Sequence, residues 1–278
     1  MRISVFAVLT ALMFCACRQS DDVSAGRYLD AARASMENSD YVSAKMFIDS
    51  VKIVYPKAFE ARKEGIRLMR KVEIAEADRT LAFQDSVIQV LNGQLENVKK
   101  NFVYEKNAEY QDLGIYSVAS QAVEKNYSRN FIRAQVDEKG RLTLVSNYNG
   151  SSYIHHRSIR LVSGDNYVES AVSDNFYEFQ NLGVCYEKCN IAGDDNGNIA
   201  SFVAINMEAP VEVTLNGERT VRYKMTTADK KAVKDVYFLS LLLSSIDEAV
   251  SIRDEALRKK RFVSANMAKA DSAAVSEQ

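Results

Sequence analysis

The chain has 278 residues, and its 36 basic and 37 acidic side chains nearly cancel. This balance argues against a nucleic acid partner, because proteins that bind nucleic acid carry a basic patch or arm. After the N-terminal region no apolar stretch reaches the roughly 20 residues of a membrane-spanning helix. The length is sufficient for two modules, each with its own apolar core.

The first predicted element is an export signal over residues 1–16. Arg2 precedes an apolar run over residues 3–14, which is too short for a membrane span and typical of a signal peptide. Ala16, a small residue, stands directly before Cys17, and this ending resembles the lipobox of bacterial lipoproteins, with Phe14 where that family usually has Leu. The resemblance implies that Cys17 is the lipidated N-terminus and that its acyl chains hold the protein at a membrane.

A polar linker is predicted over residues 17–23. It contains Arg18-Gln19-Ser20-Asp21-Asp22, which closes on two carboxylates and resembles the surface-export signal of lipoproteins from Bacteroidota-type bacteria. This resemblance implies an outer membrane lipoprotein at the cell surface or on the periplasmic face. Simple secretion with cleavage nearby, and without a lipid, is the alternative.

Residues 24–56 are predicted to form a helical hairpin that resembles one tetratricopeptide repeat. Tyr41 lies three residues before Ala44, and Pro56 lies twelve after it, as in that repeat. Asn38, Ser39 and Asp40 between the two helices supply turn and N-cap chemistry. A single unit cannot bury its own face, so we interpret the hairpin as a cap and not as a peptide-binding array. The predicted inward residues are Tyr28, Ala31, Ala32, Ser35, Ala44, Phe47, Ile48 and Val51.

A long helix is predicted over residues 57–111 and a second over residues 227–262, capped by Thr227 or Asp229. Both carry apolar residues every seven positions, with a second set in between, as in a coiled coil. We expect them to pair antiparallel as a stalk, while pairing between copies of the chain stays open. Residues 263–278 are predicted to be disordered. The seam residues are Leu81, Ile88, Leu91, Leu95, Val98 and Phe102, interrupted by Gln84, and Val236, Leu239, Leu243, Ile246, Val250 and Leu257.

Residues 112–226 change to a period of two, which is typical of short strands. Turns are predicted at Gly140, at Asn149-Gly150, at Gly164 and at Asn216-Gly217, the last as a type I′ turn. About eight strands are expected, including one through Ile199, Val203 and Ile205, and they predict an antiparallel β sandwich or barrel. The predicted fold class is α+β, with this β domain inserted between the long helices.

Cys185 and Cys189 share one face of a predicted strand. They would lie roughly 13 Å apart at about 3.3 Å per residue, and a disulfide needs alpha carbons within about 7 Å. An extended strand therefore excludes the bond and a bulge or turn allows it, so a disulfide and free inward thiols both remain open. No metal site is expected, because His155 and His156 are adjacent and would point to opposite faces of a strand.

No catalytic constellation stands out, and the sequence has no serine hydrolase elbow, phosphate-binding loop or zinc-ligand helix. The segment Gly193-Asp194-Asp195-Asn196-Gly197-Asn198 has oxygen ligands but lacks the glutamate and flanking helices of an EF-hand, so we interpret it as a polar turn. Aromatic side chains in strands are mostly core or cross-strand pairs. Exposed aromatic side chains can also stack on sugar rings. The candidates for such a carbohydrate site are Tyr148, Tyr153, Tyr167, Tyr177 and Tyr186.

The whole arrangement resembles uncharacterised lipoproteins of gut Bacteroidota, in which a helical hairpin and a coiled coil carry a β domain. One segment that carries the resemblance is Tyr55-Pro56-Lys57-Ala58-Phe59-Glu60-Ala61-Arg62. The resemblance transfers no activity. We expect a lipid-anchored, non-enzymatic envelope protein without a cofactor, whose β domain binds a protein or structural partner. Capture of carbohydrate is the alternative function.

Overall fold

The computed structural model describes residues 21–196 and 198–276, which fold as two units. The helical unit comprises the described residues up to Asp85 and those from Ile252 onward, and the β unit is Ser86–Ser251. Two long helices, α3 (Phe59–Val98) and α5 (Thr227–Ser276), contribute residues to both units. Residues 1–20, with the predicted signal peptide and Cys17, lie outside the described residues.

The helical unit begins with two helices where the sequence predicted a hairpin. α1 is Asp21–Glu37 and α2 is Tyr41–Val54, and the side chain of Asp40 accepts the predicted capping hydrogen bond from the Ser43 N–H at 3.0 Å. α3 packs on both, because residues three or four positions apart share one face of a helix. The buried core residues are Ala25, Leu29 and Ala32 of α1, Ala44, Ile48 and Val51 of α2, and Ala61, Leu68 and Val72 of α3.

The two long helices end at different residues than the sequence predicted. α3 ends at Val98, and a short 3₁₀ helix, Lys99–Asn101, leads into strand β1 (Val103–Glu105), so the prediction of helix up to residue 111 is wrong. Valine and tyrosine favour a strand once a neighbouring strand supplies hydrogen bonds. α5 continues to Ser276, past residue 263 where the disordered tail was predicted, because this alanine-rich stretch without glycine or proline favours a helix.

The β unit contains two antiparallel sheets that do not close into a barrel, so the barrel alternative is wrong. The first sheet has six strands in the order β1-β2-β3-β4-β8-β7, and the second has four in the order β10-β9-β5-β6. The remaining strands are β2 (Ile115–Ser117), β3 (Phe131–Asp137), β4 (Leu142–Gly150), β5 (Ser158–Ser163), β6 (Asn166–Glu169), β7 (Phe176–Asn181), β8 (Val184–Ala192), β9 (Glu212–Asn216) and β10 (Val221–Lys224).

One apolar cluster joins both sheets and the first half of α5. Val236, Leu239 and Leu243 of α5 are buried in it, and Leu95 and Val98 of α3 pack against it. Three positions of the predicted seam in α5 therefore belong to the core of the β unit. The largest fully buried apolar side chains of this cluster are Ile132, Leu144, Ile154, Ile159, Leu161, Ile191, Ile199, Leu215 and Leu239.

Two local predictions in the β unit are wrong. Residues 199–205 form helix α4 (Ile199–Ile205) and not a strand, because Ile199 and Val203 are four positions apart and reach the core from one helix face. Asn149-Gly150 is no turn but the end of β4, paired with Tyr186 and Cys185 of β8.

The predicted turns at Gly140 and Gly164 are confirmed, with φ of 81° and 58°. The type I′ geometry occurs elsewhere, at Leu182-Gly183 between β7 and β8, where both residues have positive φ, 48° and 81°. The hairpin through Gly217 is present, but Leu215 pairs with Val221, so its loop is longer than a two-residue turn.

Candidate functional site

Strand β8 separates two polar layers of the β unit. Its alternating burial places Cys185, Glu187 and Cys189 on the inner face of the sheet, and Tyr186 and Lys188 on the outer face. The inner layer holds a buried carboxylate, and the outer layer borders a groove. A slip of one residue would exchange the two faces, so the register of β8 on β4 fixes both layers.

Glu187 is the centre of the inner layer, and it is 2% exposed. Its carboxylate accepts hydrogen bonds from the backbone N–H groups of Ile154, His155 and His156 at 2.5, 2.9 and 3.0 Å. His155 has φ of 54°, and successive amides around a left-handed residue form a concave nest for an anion. Burial alone would raise the pKa of this carboxyl, but the hydrogen bonds from the His156 ring and the three amides lower it to about 2.

The ring of His156 connects Glu187 to Ser146 of β4. His156 Nδ1 lies 2.7 Å from Glu187 Oε2, and Nε2 lies 3.1 Å from Ser146 Oγ. Because an ionised carboxylate only accepts hydrogen bonds, we assign the proton to Nδ1. A serine, a histidine and a carboxylate in this order also form hydrolytic triads. Here Ser146 and His156 are 0% and 1% exposed, so a substrate does not reach the hydroxyl.

The outer layer borders a groove of about 430 Å³, which we call the tyrosine groove. Tyr127 and Tyr186 form its aromatic wall, with ring centroids 6.2 Å apart and ring planes at 82°. The other lining residues are Ser128, Asn149, Gly150, Ser151, Gly183 and Val184. None of these described residues carries a charge, so the groove offers aromatic surface with hydroxyl and amide groups.

The two tyrosines are positioned by different contacts. The ring of Tyr186 stacks on Phe179 of β7, with centroids 4.8 Å apart and an angle of 11° between the planes. Tyr127 lies between β2 and β3, and the side-chain amide of Asn149 donates to its backbone carbonyl. The backbone N–H of Asn149 also donates to Asn130 Oδ1 at 2.8 Å. The sheet therefore positions Tyr186, and a loop held by hydrogen bonds positions Tyr127.

Arg129 connects the loop that carries Tyr127 to the start of α5. Its guanidinium donates two hydrogen bonds to the Asp229 carboxylate, at 2.5 and 2.8 Å, and lies 4.8 Å from the centroid of the Phe131 ring. Burial would raise the pKa of Asp229, but hydrogen bonds from Arg129 and Thr226 lower it below its ordinary value. Thr226 also accepts a hydrogen bond from the Asp229 N–H at 3.1 Å, so Thr226, one residue before the predicted Thr227, supplies the cap.

Cys185 and Cys189 are free, buried thiols on the extended strand β8, so the structure contains the free thiols and not the disulfide. Three residues of extended backbone lie between them, and this geometry excludes the bond. Burial raises the pKa of Cys189 to about 11, so this thiol is protonated at neutral pH and is a poor nucleophile.

Of the five tyrosines considered from the sequence, Tyr186 lines the tyrosine groove. Tyr148 is buried and donates to the Ser152 carbonyl at 2.9 Å, and the ring of Tyr153 stacks on His155. Tyr167 and Tyr177 are exposed but are not among the residues lining the groove. The sequence missed Tyr127, because its segment has neither a helical nor a strand period to place it.

The polar segment at residues 193–198 begins with a 3₁₀ helix, Gly193–Asn196, and leads into α4, while residue 197 lies outside the described residues. His155 and His156 do not lie on a strand, and they pair with two different carboxylates, Glu178 and Glu187. Within the described part of the chain, no group of three or more histidine, cysteine or acidic residues is arranged to hold a metal ion.

Comparisons with protein family models, with curated proteins and with solved structures return no match for this chain. Among residues 21–196 and 198–276, no helix has both the length and the apolar character needed to cross a membrane. Inference about function therefore depends on the geometry of the tyrosine groove and on the N-terminal sequence.

Proposed function

We propose that this protein is a lipid-anchored, non-enzymatic binding protein of the bacterial cell envelope, and that the β unit is its binding module. The tyrosine groove is the observation that carries this proposal. Ligand sites combine apolar or aromatic surface with a few convergent polar groups, and the residues around Tyr127 and Tyr186 have that composition. The lipobox-like sequence that ends at Cys17 supplies the anchor, at the cell surface or on the periplasmic face of the outer membrane.

In this proposal the two sheets pack as a sandwich and the long helices pair antiparallel as a coiled coil. The apolar cluster shared by both sheets supports the sandwich. Contacts within each unit support the pairing. In the β unit, Leu95 of α3 packs against the cluster that contains Leu243 of α5. In the helical unit, Lys259 of α5 makes an ion pair with Glu76 of α3 at 3.1 Å.

An engineered crosslink distinguishes pairing within one chain from pairing between copies. If Leu95 lies opposite Leu243 in the antiparallel pair, Leu91 lies beside Ile246, so a Leu91→Cys, Ile246→Cys chain is expected to form an intramolecular disulfide. Non-reducing electrophoresis should show a monomer of altered mobility. The control is Val90→Cys with Ile246→Cys, because Val90 is 60% exposed and lies off the seam. A crosslinked dimer would mean that copies of the chain pair through these helices.

A protein or structural partner is the first ligand class for the β unit, and a carbohydrate is the second. The tyrosine groove specifically favours the carbohydrate. One face of a sugar ring is apolar and packs on tyrosine, while its hydroxyl groups exchange hydrogen bonds with serine and asparagine side chains. The uncharged lining disfavours ligands that carry phosphate or carboxylate groups, because no cation would replace their hydration.

Glycan-array binding tests the second ligand class with the whole chain that follows the signal peptide. We expect Tyr127→Ala and Ser128→Trp to weaken glycan binding at least tenfold, about 1.4 kcal/mol. Ser128→Trp fills the groove without removing packing, so it controls for loss of structure. Tyr167→Ala is the matched control, since Tyr167 is 61% exposed and does not line the groove. If no glycan binds, or if these changes do not alter binding, the carbohydrate proposal is refuted and the protein partner remains as the proposed ligand. Crosslinking in native membranes then tests for that partner.

The anchor is tested separately. Cells that express the full chain should incorporate radioactive palmitate into it, and a Cys17→Ser variant should lose the label and leave the membrane fraction. Cys15→Ser serves as the matched control, because Cys15 lies in the same sequence but follows the bulky Phe14. Unchanged labelling of Cys17→Ser would refute the lipid anchor and leave simple export.

A further inference from the structure

A second groove, of about 400 Å³, lies between α2 and α3 of the helical unit, and we call it the helical groove. The two helices are in contact at Gly65, because a Cβ there would lie at van der Waals distance, 3.5 Å, from Ile48 Cγ2. Ile48 and Val51 are 6% and 1% exposed, whereas Ile66 on the rim is 58% exposed. The helical groove therefore has an apolar floor and an apolar side chain that the helical unit does not cover.

The charged residues around the helical groove are unbalanced. Lys52, Arg62 and Arg70 line it, and Asp49 is the one carboxylate among the described lining residues. The Arg62 guanidinium donates to the Pro56 carbonyl at 2.9 Å, but no described carboxylate forms an ion pair with any of the three cations. By contrast Lys45, two turns before Lys52, makes an ion pair with Glu76 at 2.6 Å.

Exposed apolar side chains continue past the helical groove. Ile53 of α2 follows Lys52 in the chain and is 76% exposed, and Phe59 of α3 lies one turn before Arg62 and is 71% exposed. Ile53 lies four positions after Asp49, and Phe59 lies seven positions before Ile66, so each shares a helix face with a residue that lines the helical groove. Single exposed apolar side chains are ordinary, but several beside one concave, cationic site indicate a surface that binds a partner.

From this combination we infer that the helical groove binds an amphipathic helical segment of another protein, with aliphatic or aromatic anchors on one face and Asp or Glu beside them. The concave apolar floor accepts side chains that project from a helix at positions i, i+3 or i+4, and i+7. Carboxylates on the segment would pair with Lys52, Arg62 and Arg70. A flat lipid surface does not fill a concave floor, and a free phosphate gains nothing from the apolar lining.

The test is a selection from displayed helical peptides. The library fixes Leu at positions i, i+3 and i+7 and randomises the flanking positions between Glu and Lys, and the target is the whole chain after the signal peptide. We expect enrichment of Glu at the flanking positions. An Arg62→Glu, Arg70→Glu target should bind the selected peptide at least tenfold more weakly, about 1.4 kcal/mol. The same target should enrich Lys when the selection is repeated.

Matched controls separate the helical groove from general charge. Lys63→Glu, Arg67→Glu carries the same charge change on α3, at exposed positions that do not line the groove, and should leave the enrichment of Glu unchanged. Ile66→Asp should abolish binding with unchanged thermal unfolding, because Ile66 is already exposed. No enrichment, enrichment of Lys by the unchanged chain, or equal effects of the groove and control pairs would overturn the inference. The tyrosine groove is intact in all these variants, so glycan binding is unaffected either way.

Discussion

The inner and outer faces of β8 differ in the burial and the charge of their polar groups. The inner face buries the ionised carboxylate of Glu187 and surrounds it with donors, whereas the outer face leaves the uncharged tyrosine groove open to solvent. A strongly lowered carboxyl pKa often indicates a functional site, but here it belongs to a network that substrates cannot reach. In this protein the lowered pKa of Glu187 results from hydrogen bonds that stabilise the sheet, and the candidate binding surface carries no charge.

The largest expected effect comes from removing the inner charge. Glu187→Gln places an amide nitrogen where acceptors are needed, so the N–H groups of residues 154–156 and the His156 ring cannot all be satisfied. We expect the free energy of unfolding to fall by about 3 kcal/mol, measured by urea denaturation. Glu178→Gln, which removes the partially exposed partner of His155, should cost less than about 1 kcal/mol. If both changes lower the free energy of unfolding equally, the buried network around Glu187 contributes no more to stability than the exposed pair.

The inner charge also predicts a pH dependence with a defined sign. The pKa of Glu187 is lowered from 4.5 to about 2, so its contribution to stability is complete above pH 4.5 and is lost as the pH falls toward 2. The gap in stability between the unchanged chain and Glu187→Gln should therefore narrow by about 3 kcal/mol across that range. Unfolding curves at several pH values measure this difference in stability. A difference that stays constant with pH would contradict the lowered pKa of Glu187.

A smaller effect is expected at the loop that carries Tyr127 to the outer face. Arg129→Lys keeps the charge but loses the two-pronged contact with Asp229, and we expect a loss of about 2 kcal/mol in stability. Arg160→Lys is the matched control, because Arg160 lies over the Tyr167 ring at 4.0 Å and has no ion pair with a described carboxylate. If both changes cost the same, the loop does not depend on Asp229.

The smallest effect is expected at the turn between β7 and β8, beside the tyrosine groove. Leu182 has φ of 48° and is 97% exposed, so its side chain contributes strain and almost no packing. Asparagine adopts this conformation more readily, and Leu182→Asn should raise the free energy of unfolding by about 0.5 kcal/mol or more. Leu182→Val should lower it, and thermal unfolding of both variants checks the order.

The sequence predicted the helical unit better than the β unit. Helix periodicity and the cap at Asp40 are local signals, and α1 and α2 follow them. The same signals did not find α4, because Ile199, Val203 and Ile205 fit a strand and a buried helix alike. The end of α3 was missed because Val103 and Tyr104 become a strand only through pairing with β2, twelve or more residues away.

The candidate site could not be read from the sequence for the same reason. The sequence indicated Tyr186 but not Tyr127, which lies 59 positions earlier in the chain. A loop held by a hydrogen bond from Asn149 places Tyr127 at the groove. Glu187 and its amide donors are separated by 31 to 33 positions, and Arg129 and Asp229 by 100. No spacing rule connects residues at such distances.

By itself the sequence determined the α+β composition, the hairpin of the helical unit and several β hairpins, whereas the export signal is a prediction from the sequence alone. Each of these depends on residues a few positions apart, whose side chains compete or cooperate within one turn or one strand pair. Tertiary structure alone decided that the strands form two open sheets, that Glu187 is buried in a nest, and that Tyr127 and Tyr186 share a groove. Those features depend on contacts between distant segments, which form only when the apolar core brings the segments together.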